Sequence, residues 1–428
     1  MEAQSTICPY PPLLSPSWQD RMDQLTGSRE LPAESVEILY EQNRAYQVWK
    51  ETLLKAEKSI RLYTYYLRAK GPVGKELVSL LEKKARQGLT VRIIAARYAQ
   101  MACDPRAVHR LRKAGAEVLL VGNISPPFFG FSRKRKRHRL VAPLPEGIHR
   151  KERRTATGIL IDFSLHIKTL LVDHTTALVG GRNINDNYFT SWEDTDLFIT
   201  GPVAAELTRR FDIEFSLFSG GDGTKEEIPA PREREKLPGL RCIISNPWEQ
   251  SYETLAALIH AVRAAEKSIH IVTQYVIPPR ALLEALEAAA RRGVDIHIIT
   301  NSRASGKAVA GGLCWYLSSN WYGALLRQGI HIHEWKGLEK LTYLHTKLFL
   351  VDRRWLAIGS FNLSVRSAYL ESEILCALYE NPHIEEAGNL LDDYLNRGST
   401  EVTLEDLRRT SLSTRIITKA ALFFRLYY

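Results

Sequence analysis

Two short stretches of this 428-residue chain carry a histidine and a lysine two positions apart, with an aspartate five residues after the lysine. The stretch LHIKTLLVDHTTALVGGRNIND supplies His166, Lys168 and Asp173, and LHTKLFLVDRRWLAIGSFNLSV supplies His345, Lys347 and Asp352. The apolar flanks predict strands, and alternate residues of a strand share a face, so each histidine projects beside its lysine and both can meet one phosphate. After each aspartate a second apolar run, TALVGG or WLAIGS, closes on small residues and then Asn183 or Asn362. Small residues let a backbone approach a bound anion, and asparagine brings an amide donor; Ser360 adds a hydroxyl where the first copy has Gly181. A neutral imidazole can attack phosphorus, a protonated one can release an alcohol, and two lysines can hold the phosphoryl oxygens. Such a set can break and remake a phosphodiester through a covalent phosphohistidine.

One histidine on a strand is usually structural, but the spacing, the following strand, the small pair and the asparagine all recur in order. An imidazole that works as nucleophile or acid also needs a partner on its other nitrogen. Asp196, thirteen residues after Asn183, and Glu373, eleven after Asn362, each open an apolar run (LFIT and ILCA) and are expected to orient the two histidines. Asp173 and Asp352 complete the catalytic motifs and are expected to fix the turns that follow the motif strands.

The elements that position these residues are duplicated as well. AEKSIRLYTYYL (Ala56 to Leu67) matches AEKSIHIVTQYV (Ala265 to Val276), and RQGLTVRII matches RRGVDIHII further on. Both copies read helix, strand, helix, strand, which predicts an α/β sandwich half made twice. Residues 1–35 read as an N-terminal extension, 36–218 as the first half, 219–239 as a glycine-, proline- and charge-rich linker, 240–400 as the second half and 401–428 as a tail. The first half carries an extra stretch, 129–158. Between Ser132 and Arg154 it holds ten basic side chains against Glu146 and Glu152, a local balance of +8. A solvated loop, a contact with an anionic surface and a nuclear targeting signal all fit such a run.

Composition is that of a globular protein: 45% hydrophobic, 25% charged, with a formal charge of +10 that favours anionic partners. Five scattered cysteines do not read as a disulfide framework or as paired metal ligands. No sustained apolar segment predicts a signal peptide or a membrane span, so a cytoplasmic, peripheral protein is expected. In the tail, Leu412, Ile416, Ala420, Phe423 and Tyr427 fall within about 80° of one another at 100° per residue, beside Arg415 and Lys419, and no acidic residue follows Asp406. That face suits an anionic bilayer and equally suits packing on the protein's own core.

The paired histidine motifs resemble those of the phospholipase D superfamily, with similarity running from about Ala45 to Glu380. GGRNINDNYF, WEDTDLFITGP and GSFNLSVRSAYLESEI are similar to stretches of bacterial cardiolipin synthases. The resemblance implies two α/β sandwich halves about a pseudo-twofold axis with the active site at their interface, and no cofactor or metal. It implies a phosphatidyltransferase, with His166 as nucleophile, His345 as acid and base, and Lys168, Lys347, Asn183, Asn362 and Ser360 around the phosphate. The substrate it implies is a phospholipid, with an alcohol or water as acceptor. A hydrolytic phospholipase D and a nuclease that binds nucleic acid are the alternatives, and the basic stretch lacks the interleaved aromatic residues that stack bases.

Overall fold

The computed structural model describes residues 10–97, 103–122, 164–221, 239–247, 249, 251–307 and 312–424. The expected basic stretch at 129–158 falls wholly outside them, as do most of the expected linker and the last four residues of the tail. The strands of the first sheet are β2 (Ser35–Leu39), β3 (Ser59–Thr64), β4 (Thr90–Ala96), β5 (Glu117–Val121), β7 (Thr169–Val172), β8 (Thr176–Gly180) and β10 (Asp196–Thr200), ordered β2-β10-β8-β7-β3-β4-β5. Those of the second are β1 (Leu31–Pro32), β11 (Gly239–Ser245), β12 (Ser268–Val272), β13 (Asp295–Asn301), β14 (Ile330–Trp335), β16 (Leu348–Val351), β17 (Trp355–Gly359), β18 (Glu371–Tyr379) and β19 (Ser399–Val402). Their order, β1-β11-β18-β17-β16-β12-β13-β14-β19, repeats that of the first sheet, with one strand added at either edge. Three two-residue strands stand apart: β6 (Ser164–Leu165), β9 (Trp192–Glu193) and β15 (Tyr343–Leu344).

Strand alternation explains how the sheets stack. In β16, β17 and β18, Leu348, Leu350, Leu356, Ile358, Ile374 and Cys376 join one apolar core shared with the first sheet. Their neighbours Phe349, Val351, Trp355, Ala357, Leu375 and Ala377 join a second core. Strands buried on both faces read as near-continuous apolar runs, as these do. The helices α2 (Gln42–Lys55), α3 (Pro72–Arg86), α4 (Pro105–Lys113) and α5 (Pro202–Ser219) serve the first sheet. The second core is covered by α6 (Glu253–Ala264), α7 (Arg280–Arg291) and α8 (Leu313–Arg327).

The N-terminal residues pack on the second sheet's side. In α1 (Pro16–Thr26), Trp18 and Met22 belong to the second core, and the Trp18 ring stacks on His260 of α6 at 5.0 Å. After α9 (Pro382–Asp393), β19 pairs with β14, and α10 (Leu404–Arg409) and α11 (Leu412–Ala421) follow. No helix among the described residues is long and apolar enough to cross a membrane.

The duplicated AEKSI stretch and the motif aspartates form one device. Asp173 accepts from the backbone amides of Glu57, Lys58 and Ser59 at 2.7–2.8 Å, and Asp352 from those of Glu266, Lys267 and Ser268 at 2.8–2.9 Å. Each aspartate sits in a left-handed turn, with φ of 53° at Asp173 and 51° at Asp352. Aspartate tolerates that conformation better than most residues, and two successive left-handed positions suit the twist of a hairpin. The motif hairpins are thereby pinned to β3 and β12.

Candidate active site

Each motif histidine follows a short strand that leaves its own sheet and pairs with the other half. β6 runs parallel to the start of β18, Glu371 opposite Ser164, and the His166 amide donates to the Ser372 carbonyl at 3.0 Å. β15 runs parallel to β9, and the His345 amide donates to the Glu193 carbonyl at 2.7 Å. In both cases the next residue of the partner strand supplies a carboxylate. His166 Nδ1 lies 2.9 Å from Glu373 Oε1, and His345 Nδ1 lies 2.7 Å from Asp194 Oδ2. Each imidazole is thus oriented by an acid from the opposite half.

Glu373 holds the place expected of it, and Asp196 does not. Asp196 accepts from Trp49 Nε1 at 3.1 Å and from the Arg182 amide at 3.2 Å, and pairs with the buried Arg182 guanidinium at 3.4 Å. It anchors α2 to the end of β8, while Asp194 takes the histidine. The signal was present in the spacing: Asp194 follows Asn183 by eleven residues, as Glu373 follows Asn362. The expectation went astray by seeking a carboxylate at the start of an apolar run, and Asp194 precedes that run by two.

Ser360 also differs from expectation. Its hydroxyl donates to Glu373 Oε2 and accepts from the Ile374 amide at 3.0 Å, so its proton is committed to the carboxylate and not to a phosphate. At the matching Gly181, an added Cβ would come within 2.0 Å of Asp194 Oδ1, so the aspartate fills the space a side chain would need.

Lys168 and Lys347 are fully buried and each donates to the carbonyl of its own motif histidine. The charge of Lys347 acts on His166 and that of Lys168 on His345, so the two half-sites share one electrostatic field. Asn183 Oδ1 accepts from the amides of Tyr65 and Tyr66 at 2.8 and 3.1 Å, while its buried Nδ2 has no partner. Asn362 bonds the Tyr275 hydroxyl at 3.3 Å and leaves its other amide atom buried and unsatisfied. A hydroxyl both donates and accepts, so turning that amide over leaves an NH2 donor open there as well. Asp173 and Asp352 are committed to backbone amides and hold hairpins. Tyr65 and Tyr188 wall the site, their rings edge-on to His166 at 5.6 Å and to His345 at 5.0 Å.

Three further residues went unremarked in the sequence. Glu371 Oε2 lies 3.8 Å from His166 Nδ1, and its Oε1 accepts from Arg366 Nε at 2.8 Å and from Ser164 Oγ at 3.1 Å. All three are buried, Ser164 and Glu371 in strands and Arg366 in the short helix Val365–Tyr369, and no local spacing marks them as partners. The ligand atoms of His166, Glu371 and Glu373 lie within 4.8 Å of one another and could hold a metal ion. Arg366 and Ser164 engage Glu371 Oε1 and Ser360 engages Glu373 Oε2, while Glu371 Oε2 is buried without a hydrogen-bond partner among the described residues.

Burial governs the ionisation of the site. It depresses both imidazoles, with Lys168 adding to the effect at His166 and Lys347 at His345, which is held at about 3. Burial also lowers Lys168 to about 8 and Lys347 to about 7. Glu373 is pushed up to about 7 by burial, whereas at Asp194 burial is outweighed by His345 and Lys347, which hold the carboxyl at about 2. The site offers two imidazoles with depressed basicity, each with Nδ1 on an acidic side chain, and two lysines whose charges act on both rings.

The family described as "Cardiolipin synthase, PLD-like domain" matches residues 49–216 and again 258–395. The chain is 27% identical over 379 residues to a cardiolipin synthase of Geobacillus sp. (strain WCH70), covering 86% of this chain and 67% of that protein. It is 24% identical over 388 residues to a cardiolipin synthase of Halalkalibacterium halodurans, covering 86% and 68%. The chain therefore spans about two thirds of the length of these relatives. Among solved structures, the phosphatidylserine synthase of Haemophilus influenzae Rd KW20 has the same fold, with a TM-score of 0.66 at 15% identity, covering 96% of this chain and all of that one.

Proposed function

Because the chain belongs to the family of cardiolipin synthase, PLD-like domains, we propose that it is a phosphatidyltransferase that passes a phosphatidyl group from a phospholipid to an alcohol through a phosphohistidine. The observation that carries this reading is the crossed pair of histidine–carboxylate contacts at 2.9 and 2.7 Å, each made between halves. A pseudo-twofold relation of the halves, the first 36–218 and the second 240–400, accounts for the crossing.

The steps follow from the groups present. The lone pair on His166 Nε2 attacks phosphorus; a P–N bond forms, and the P–O bond to the departing alcohol breaks as His345 supplies the proton. An incoming alcohol then gives its proton to His345 while its oxygen attacks phosphorus, and the P–N bond breaks. Lys168 and Lys347 hold the non-bridging oxygens, with the Asn183 and Asn362 amides as further donors. The phosphodiester brings a negative charge that opposes the two lysines and raises the His345 imidazole enough for it to carry a proton. Asp194, firmly ionised, stabilises that imidazolium. The phospholipid substrate places the protein at a membrane surface, as a peripheral protein on the cytoplasmic side.

The test is a single incubation with labelled phosphatidylglycerol, with and without a second alcohol, and separately with DNA. Cardiolipin and phosphatidyl-alcohol formation is expected. Phosphatidic acid as the sole product would replace transfer with hydrolysis, and DNA cleavage without lipid turnover would overturn the lipid reading.

A further inference from the structure

The tail helix α11 is amphipathic in the sense opposite to that of a helix packed on a core. The side it turns to the protein carries small or polar residues: Thr414 and Ala421 are buried, Thr418 O accepts from Asn320 Nδ2 at 2.8 Å, and the Thr418 hydroxyl lies 3.5 Å from that of Ser319. The side it turns outward carries Leu412 and Ile416, which are 75% and 61% exposed, and Phe423, 75% exposed, follows in the 3-10 turn Leu422–Phe424. At 100° per residue Leu412 and Ile416 fall within about 40°, and with Phe423 they make a narrow apolar ridge. A protein that needed this helix only as a cover would place those side chains inward, where burial stabilises them.

Charge selects what covers the ridge. Arg415 and Lys419 are exposed beside it, and residues 407–424 hold no Asp or Glu side chain, while Asp406 itself caps α10 through Thr403. An apolar ridge on a helix that carries cations and no acidic side chain fits the boundary between headgroups and acyl chains of an anionic bilayer.

We propose that the Leu412–Ile416–Phe423 ridge, with Arg415 and Lys419 beside it, seats the protein on an anionic phospholipid bilayer. This rests on the phosphatidyltransferase reading for its purpose, though not for its test.

The experiment compares the full chain with L412S/I416S/F423S, whose changes are all at exposed positions. Flotation is measured on vesicles of equal parts phosphatidylglycerol and phosphatidylcholine and on phosphatidylcholine alone. Turnover is measured on the anionic vesicles and on dispersed dihexanoyl phosphatidylglycerol, and mass in solution by light scattering. The triple variant is expected to bind anionic vesicles on the order of a hundredfold more weakly, to lose vesicle turnover in proportion and to keep its turnover of the dispersed lipid. Equal flotation of variant and wild type overturns the proposal whether or not either lipid is turned over. A wild-type dimer that the variant converts to a monomer with unchanged flotation overturns it in favour of an interface between copies. A wild type that outfloats the variant yet turns over neither lipid supports the docking surface and overturns the transferase reading.

Discussion

At His166 the orienting carboxylate is a glutamate whose second oxygen is held by the Ser360 hydroxyl. At His345 it is an aspartate whose other oxygen accepts from the Thr195 amide at 2.9 Å, and glycine stands where the serine would be. The backbone is the same in both places, since Gly181 N donates to Thr195 O and Ser360 N to Ile374 O. One methylene therefore decides the rest: the longer acid needs a hydroxyl to fix its free end, and the shorter one sits so close to the preceding turn that no side chain fits. The ionisation differs accordingly. Glu373 rises to about 7 through burial, while Asp194 stays at about 2 because His345 and Lys347 outweigh its burial. A repeat can thus keep its geometry and still give its two histidines different electrostatic partners.

The sharpest way to break this comparison is to remove the imidazoles. H166A and H345A should each lower kcat at least ~10⁴-fold, and a trapped phosphoryl adduct should map to the peptide containing His166. An adduct on His345 would exchange the two roles. Next, D194N should cost on the order of a thousandfold in kcat, because a neutral amide cannot stabilise the imidazolium. D196N should do the reverse, costing about 1–3 kcal/mol of stability through Trp49 and Arg182 and far less in kcat; equal kinetic effects of the two would contradict the assignment of Asp194.

A smaller effect separates the half-sites themselves. G181S should drive a side chain into Asp194 and lower kcat roughly a hundredfold, while S360G, which only frees one end of Glu373, should cost about tenfold. Equal losses would mean that the two acids are held alike. The smallest effect is on stability. His345 sits near 3 in the folded protein, chiefly through burial and then Lys347, against an ordinary 6.5. Between those values the unfolded chain binds a proton that the folded one does not, so the folded state is penalised as pH falls below about 6.5 and is relieved above it. Lowering the pH from 7 to 5 should cost wild type up to about 2 kcal/mol through this group, a part of the drop that H345Q should lack in urea midpoints.

Much of this was legible without coordinates. The twofold recurrence of AEKSI and of the histidine, lysine and aspartate spacing reflects one contact, an aspartate clamping three amides of the neighbouring strand, and a contact made twice leaves its trace twice. Glu373 was readable because a carboxylate at a fixed offset from Asn362 is a local feature. Asp194 shares that offset and was passed over for Asp196, since both carboxylates lie at the edge of the same strand and only one faces the histidine. The Ser360 hydroxyl could be recognised as a donor, but its acceptor depends on which carboxylate lies across the turn. The network of Arg366, Glu371 and Ser164 joins residues about two hundred positions apart.

The chain's order of residue types determined the repeat, the sandwich halves, the motif strands and the chemistry open to two imidazoles and two lysines, because strand periodicity and hairpin turns are set by neighbours in sequence. Only the tertiary structure decided that each histidine takes its acid from the other half, and that the ridge of the tail faces outward. Both outcomes depend on which surfaces meet when the sheets stack, and local spacing carries no information about a partner that the chain reaches only after folding.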